Sequence, residues 1–405
     1  MKKLLSLFLV FLLLMGSVCA ESTDFTVSQP FLGISGFPVH WEDAFFSGDA
    51  HEYRHGLCLL SMAFTLAAMD DAGANNTAPV RDFLDRLGFI EPDIRQYDVR
   101  DKDTIGSVMA RKSVNGREVI AVAVRAGQYG GEWLSNLEVG DEGTYHVGFE
   151  SAANQVLERL KDYTQGIASP VLWIVGYSRG AAVANLAAAF AADAGLAPDE
   201  DIFCYTLATP KTVMESRSKA HQNIFNIINP ADLVPRVPLA EWGFARYGVT
   251  LCLPSALAGD AYAQLMPAYQ AAYKSITGTE DTVGADASLA RMAANTEKGL
   301  AFAVPSRWQY VDNYQPLLEV YYQYRDFAHF TGMEQLTFAA LAAVVCGKAF
   351  QDEEVIFSVS DDVNVLVQNV NRLLQIWQNH APARYAAWLM AIPGPEAMTN
   401  AADTP

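Results

Sequence analysis

The chain has 405 residues, and 28 Lys and Arg against 46 Asp and Glu give it a formal net charge of −18. Apolar residues make up 51% of the chain and charged residues only 18%, which supplies a sizeable core and excludes a disordered or coiled-coil protein. A surface this acidic repels phosphate backbones and anionic headgroups, so we expect no nucleic-acid partner.

The first twenty residues have the pattern of a secretory signal peptide. Lys2 and Lys3 precede the apolar run Leu4 to Met15, and Val18-Cys19-Ala20 places small residues where a signal peptidase cuts. A membrane span needs about 20 apolar residues, more than this run provides. We therefore expect a secreted protein with no stable membrane span, in which residues 1–20 are removed and residues 21–405 form one domain.

Apolar periodicity predicts alternating helices and strands over the first two thirds of the chain. Helices are predicted where apolar residues recur at helical spacing, and strands where β-branched and small apolar residues run without interruption. The helices are Leu57–Met69, Ala78–Leu87, Phe149–Tyr163 and Ala181–Ala194, and the strands are Glu118–Val124, Val171–Val175, Ile202–Leu207 and Ile224–Ile228. This order predicts an α/β fold with a mainly parallel central sheet.

Beyond this region the pattern is helical. Residues from about 253 to 345 are rich in Ala, Tyr and Phe and predict a helical cap or insert, which is followed by a last clear helix over Val363–Gln378. Aromatic residues crowd Tyr310 to Phe330, where they would line a site for an acyl chain or pack the core of the insert.

The strongest chemical signal is the pentapeptide Gly176-Tyr177-Ser178-Arg179-Gly180. It is a G-x-S-x-G sequence that follows a predicted buried strand and opens a predicted helix. In this context the turn is so tight that glycines are needed on both sides, and the serine projects its hydroxyl at the carboxyl end of the strand. The motif predicts that Ser178 is a nucleophile.

A serine nucleophile needs a base and an acid that orients the base, and in this architecture the chain order is Ser, acid, His. Asp232 lies in the turn after the predicted strand Ile224–Ile228 and is the candidate acid. His329 and His380 are the two histidines downstream. We favour His380 because it follows a helix and opens a loop, and His329, which lies among aromatic residues, is the alternative base.

Five blocks of the chain, in order, resemble the class 3 lipase family of α/β-hydrolases, the fungal-lipase-like group and its secreted bacterial relatives. The Ser178 and Asp232 motifs take part in this resemblance. The blocks are VIAVAVRAG with WLSNL downstream, HVGF at His146, the GYSRG elbow, TLATP with NPADLVPRVP, and the segment from His380 through Tyr385 to Leu389.

The resemblance implies an α/β-hydrolase fold and hydrolysis of carboxylic esters by Ser178, Asp232 and His380, without a cofactor or metal. It implies an oxyanion hole from the backbone amides of Arg179 and of Ala126 or Gly127, and a structural role for His146. The expected substrates are neutral lipids or small esters. The oxyanion loop reads Arg125-Ala126-Gly127, whereas the family has a hydroxyl residue in the third position.

Three other interpretations remain open at this stage, one of which is a peptidase or thioesterase that uses the same triad. The segment His51-Glu52-Tyr53-Arg54-His55 matches the H-E-x-x-H pattern of zinc peptidases, although no third ligand is recognisable downstream. The missing oxyanion hydroxyl also fits a binding protein that keeps the hydrolase fold with impaired catalysis. The sequence carries no signal for an oligomeric state.

Overall fold

The computed structural model describes residues 22–69, 76–95, 104–126, 132, 134–256, 260–284, 286–319 and 363–400. Residues 1–20, Gly127, His329 and the rest of the insert from residue 320 to 345 lie outside these ranges. The signal peptide, the alternative base and part of the oxyanion loop therefore stay predictions from the sequence.

The described strands form one large sheet and two small antiparallel pairs. In chain order the strands are β1 Ser22–Gln29, β2 Ile34–Glu42, β3 Ile90–Arg95, β4 Ser107–Val114, β5 Arg117–Val124, β6 Val171–Tyr177, β7 Ile202–Leu207, β8 Val213–Met214, β9 Ile224–Ile228, β10 Phe244–Ala245, β11 Val249–Cys252 and β12 Thr399–Asn400. The strands of the large sheet lie in the order β12-β11-β9-β7-β6-β5-β4-β3. Neighbours from β5 to β11 are parallel, and the strands at both edges are antiparallel.

Helices cover both faces of this sheet, which makes it the mainly parallel sheet of an α/β-hydrolase-like fold. The helices are α1 His55–Ala68, α2 Ala78–Arg86, α3 Val147–Tyr163, α4 Arg179–Asp193, α5 Asp260–Thr277, α6 Leu289–Ala303, α7 Val363–Gln378 and α8 Pro382–Ala391. One core joins the sheet to α1 and α8, and a second joins its other face to α3 and α4.

The predicted elements are present with small shifts at their ends. Helices α1, α3 and α4 each begin two residues before the predicted start, and β6 continues to Tyr177. Strand β4 was not predicted, because Arg111 and Lys112 interrupt its apolar pattern. Lys112 lies over the Trp41 ring at 4.5 Å, and Arg111 pairs with Glu91 at 2.6 Å.

The region from residue 253 contains α5 and α6, which lie between the last parallel strand and α7 in the chain. A short helical turn, Arg307–Gln309, follows them and continues into a π-helical turn over Tyr310–Tyr314. None of the helices in the described ranges is both long enough and apolar enough to cross a bilayer.

Candidate active site

Ser178 occupies the tight turn between β6 and α4. Its φ of 55° and ψ of −127° are strained for a residue with a side chain. A Cβ added at Gly176 would fall 2.2 Å from the Gly180 carbonyl oxygen, and one at Gly180 would fall 2.4 Å from the Val124 carbonyl oxygen. Both positions therefore require glycine, and their close contacts bring the start of α4 against the end of β5.

The structure brings Ser178, His380 and Asp232 into one hydrogen-bonded chain. His380 Nε2 lies 2.8 Å from Ser178 Oγ, and His380 Nδ1 lies 2.7 Å from Asp232 Oδ2. His380 is 202 positions from Ser178 and 148 positions from Asp232 in the sequence, so only folding brings the three residues together. When Nδ1–H donates to Asp232, Nε2 is left as an acceptor for the serine hydroxyl.

Asp232 is fully buried, and its carboxylate has further donors. Tyr385 donates its hydroxyl to Oδ2 at 2.8 Å, and the Val234 amide donates to Oδ1 at 2.9 Å. Burial, followed by the charge of Asp232, raises the pKa of Tyr385 far above its usual value, so this hydroxyl keeps its proton and remains a donor. These contacts satisfy a buried carboxylate and fix its orientation.

Two further contacts hold the polypeptide around the site. Tyr385 accepts a hydrogen bond from the Asn229 amide at 3.0 Å, at the start of the turn that carries Asp232. Tyr177 donates its hydroxyl to the His380 carbonyl at 2.8 Å. Sequence reasoning missed Tyr177, because the second position of G-x-S-x-G accepts any residue.

The candidate oxyanion donors lie at the junction of β5 and α4. Arg179 is the first residue of α4, and Ala126 is the second residue after β5. The Arg179 side chain is buried and directs its guanidinium toward Asn136 and the Thr104 carbonyl, at 3.4 Å each. The buried Arg125 of the same loop forms an ion pair with the buried Glu132.

The other histidines singled out from the sequence have different surroundings. His146 is buried, stacks on Phe149 with ring centroids 3.9 Å apart, and lies 3.2 Å from the Asn136 carbonyl through Nε2. His51 contacts Asp49 in a turn, whereas His55 begins α1 and contacts the Leu389 carbonyl. The two histidines of the HEYRH segment therefore do not share a helical face, which contradicts the zinc-peptidase reading. In the described ranges no group of three or more potential ligands could hold a metal ion.

One part of this chain is similar to a known protein family. Residues 114–242, about a third of the chain, match the family model "Lipase (class 3)". These residues include Ser178 and Asp232. No curated protein sequence matches the chain.

Several solved structures of fungal lipases have a limited likeness to the chain. The triacylglyceride lipase of Rhizomucor miehei is 19% identical with a TM-score of 0.39, and the alignment covers 50% of this chain and 82% of that one. Lipase II of Rhizopus niveus is 16% identical with a TM-score of 0.36, over 47% of this chain and 78% of that one. A triacylglycerol lipase described as having a serine protease triad is 18% identical with a TM-score of 0.38, and the alignment covers 51% of this chain and 83% of that one.

The sequence match of residues 114–242 spans β5, the serine turn and the turn that carries Asp232. Over this third of the chain the protein is similar to the class 3 lipases.

Proposed function

We propose that this protein is a secreted serine ester hydrolase with Ser178, His380 and Asp232 as its catalytic triad, and that it cleaves the carboxylic ester bonds of neutral lipids or small esters. The observation that carries the proposal is the pair of hydrogen bonds, 2.8 and 2.7 Å long, that joins the serine hydroxyl through the imidazole to a buried carboxylate. Nucleophile, base and orienting acid are thus all within the reach that acyl transfer requires.

The reaction proceeds in two halves. Ser178 Oγ attacks the ester carbonyl carbon while His380 Nε2 accepts the hydroxyl proton. The tetrahedral intermediate collapses when His380 returns that proton to the leaving alcohol, and an acyl-serine remains. Water then attacks the acyl carbon, again losing a proton to His380, and the carboxylic acid leaves as Ser178 regains its hydrogen. Asp232 keeps Nδ1 protonated throughout.

Two backbone amides are proposed to bind the oxyanion, that of Arg179 and that of Ala126 or Gly127. One donor of this kind contributes about 3 kcal/mol to the transition state. The loop lacks the hydroxyl of its relatives, so it relies on amides alone. The helix dipole of α4, which begins at Arg179, adds partial positive charge at the same position.

Charge and the N-terminal sequence support the substrate class and the location. A net charge of −18 disfavours anionic interfaces and leaves neutral glycerides and small esters as the better substrates. The basic start and apolar run of residues 1–20 support export.

Labelling with a fluorophosphonate probe tests the triad. The wild-type protein is compared with Ser178→Ala, Asp232→Asn, His380→Ala and His329→Ala, each with and without a chelator. We expect wild-type labelling that survives the chelator and disappears in Ser178→Ala, with a labelling rate lowered by about 10⁴ in Asp232→Asn and by about 10⁶ in His380→Ala. A series of p-nitrophenyl esters of increasing chain length then defines the acyl preference.

Two results would contradict the proposal in different ways. A folded wild-type protein that is not labelled would favour the binding-protein reading. Labelling that is lost in His329→Ala but kept in His380→Ala would assign the base to the other histidine.

A further inference from the structure

The guanidinium of Arg384 spans the loop that carries His380. Arg384 lies in the first turn of α8, four residues after the histidine, and is only 6% exposed. It donates through Nη1 to the carbonyl of Gln378, two residues before His380. One side chain thus connects the polypeptide on both sides of the candidate base.

The rest of the Arg384 guanidinium binds a carboxylate of the helical insert. Nε and Nη2 donate to the two carboxylate oxygens of Asp281 at 2.8 Å each, in a bidentate pair. Asp281 lies between α5 and α6, is 3% exposed, and also accepts the hydroxyl of Tyr269. Tyr269 in turn stacks on Trp388 of α8, with ring centroids 4.3 Å apart.

The charge state of Asp281 agrees with this geometry. Burial alone would raise the pKa of Asp281, but the hydrogen bonds and charge of Arg384 outweigh it, and the pKa lies below its ordinary value. The pair is therefore ionised on both sides at neutral pH. A bidentate ion pair fixes the relative orientation of its partners more strictly than a single contact does.

A second ion pair ties the insert to the turn that carries Asp232. Glu297 of α6 accepts from Arg236 Nη1 at 2.7 Å and from Lys211 Nζ at 2.9 Å. Arg236 also donates through Nη2 to the Pro230 carbonyl at 2.7 Å, two residues before Asp232. The acid turn is thus anchored to α6 in the same way that the base loop is anchored to the α5–α6 connection.

We propose that α5 and α6 form a fixed scaffold that positions His380 and Asp232 relative to one another, through the anchors Asp281–Arg384 and Glu297–Arg236. This inference rests on the proposed triad. The four anchor residues touch no reacting atom, so they are positioning residues.

The anchors also oppose a swinging movement of α5 and α6 away from the sheet. Separating α5 and α6 from the sheet would break the buried Arg384–Asp281 ion pair, which is strongly unfavourable. The same separation would release the His380 loop and the Asp232 turn. A displacement of about 1 Å between catalytic groups lowers turnover about 100-fold.

Steady-state kinetics of full-length variants test the scaffold. Arg384→Met, Asp281→Asn, their double variant and Glu297→Gln are assayed on a p-nitrophenyl ester together with the fluorophosphonate labelling rate. We expect kcat and the labelling rate to fall about 10- to 100-fold in Arg384→Met, with KM within about twofold. The kcat of the double variant is expected to be no lower than that of the more impaired single variant, because the two residues act as one unit. Arg384→Lys, which keeps the charge, should recover part of the loss.

The chain offers a control at the amino ends of two central strands. Arg117 binds Asp201 in a bidentate pair, at 2.7 and 2.6 Å, where β5 and β7 begin. This pair is more exposed than Arg384–Asp281 and lies at the strand ends opposite the serine turn, so Arg117→Met should leave kcat near the wild-type value.

The possible results distinguish a failure of the scaffold proposal from a failure of the proposed triad. If folded Arg384→Met and Glu297→Gln both had the wild-type kcat, the scaffold proposal would be wrong. Labelling that still depends on Ser178 would then continue to support the triad. A kcat loss in Arg117→Met equal to that in Arg384→Met would also overturn the scaffold proposal, since the effect would then be general destabilisation. If Arg384→Met does not fold, Glu297→Gln decides: a lowered kcat with unchanged KM supports the scaffold, and wild-type kcat refutes it. Failure of the wild-type protein to label would instead refute the proposed function.

Discussion

At the scale of a residue, His146 stands out because it is a fully buried imidazole next to cationic groups. Burial first, and then the charges of Arg179 and Arg307, lower the pKa of His146 to about 3. The ring is therefore neutral in the folded protein at any pH near neutrality. In the unfolded chain a histidine accepts a proton below about pH 6.5.

This difference predicts that stability falls with decreasing pH. Below pH 6.5 His146 binds a proton in the unfolded chain but stays neutral in the folded protein, so acidification favours unfolding. The stability that is present above pH 6.5 is therefore lost progressively toward pH 3. Between pH 7.5 and 5 we expect His146 to account for a loss of about 2 kcal/mol in the free energy of unfolding. Urea titrations of the wild type and of His146→Asn at the two pH values measure it, and the variant should have a smaller difference between them.

Two other histidines also contribute to the pH dependence of the free energy of unfolding. Burial also lowers the pKa of His55, which leaves some of the same slope in the variant. Hydrogen bonds to Glu42 and Asp24 raise the pKa of His40, so protonated His40 stabilises the fold below pH 6.5 and His40→Asn should steepen the loss. An unchanged wild-type slope in His146→Asn would contradict the prediction.

At the scale of elements, the contact between β5, β6 and α4 determines the geometry of the serine turn. Gly180 at the start of α4 leaves no room for a side chain, because a Cβ there would lie 2.4 Å from the Val124 carbonyl oxygen and 2.7 Å from the Arg125 carbonyl oxygen. Both neighbours are backbone atoms at the end of β5. A side chain at this position has to push α4 away from the loop that contains Ala126.

We therefore expect Gly180→Ala to separate the proposed oxyanion donors on Arg179 and Ala126. Loss of one such donor lowers kcat about 10²- to 10³-fold, and the forced backbone shift costs about 1 to 3 kcal/mol of stability. Kinetics on a p-nitrophenyl ester and urea titration check both effects. Gly36→Ala is the control, because the nearest atom to its Cβ, on Thr26, is 3.8 Å away. Wild-type turnover in Gly180→Ala would show that the two donors do not depend on this contact.

The strand and helix predictions succeeded where the signal is local. The strands Ile202–Leu207 and Ile224–Ile228 and the helix Val363–Gln378 were predicted with the bounds that the structure has. Uninterrupted apolar strands are recognisable because both of their faces are covered. The edge strand β3 and its neighbour β4 were missed because charged residues that pair with one another interrupt the apolar pattern that marks a strand.

At the scale of the whole molecule, the excess of negative charge acts on every surface the protein approaches. With a net charge of −18, approach to an anionic interface is opposed by a long-range repulsion that salt screens. A neutral interface does not repel the protein in this way.

The charge predicts a salt dependence that differs between two substrates. Tributyrin emulsified in neutral phosphatidylcholine should be hydrolysed at a rate that changes little between 10 and 300 mM NaCl, a range over which the screening length falls from about 30 to about 6 Å. The same substrate in anionic phosphatidylglycerol should be hydrolysed more slowly at low salt and recover at high salt. Equal rates on both emulsions at 10 mM NaCl would show that a local surface, not the net charge, governs approach.

The sequence by itself determined the class of fold, the serine turn and the turn that carries Asp232. Each depends on short-range physics: apolar periodicity specifies strands and helices, and sterics demand glycines around Ser178. The tertiary structure alone decided which residues meet these turns. His380 reaches Ser178 across 202 positions, and Arg384 reaches Asp281 across 103. No local pattern encodes such contacts, because they exist only once helices from distant parts of the chain have packed against one sheet.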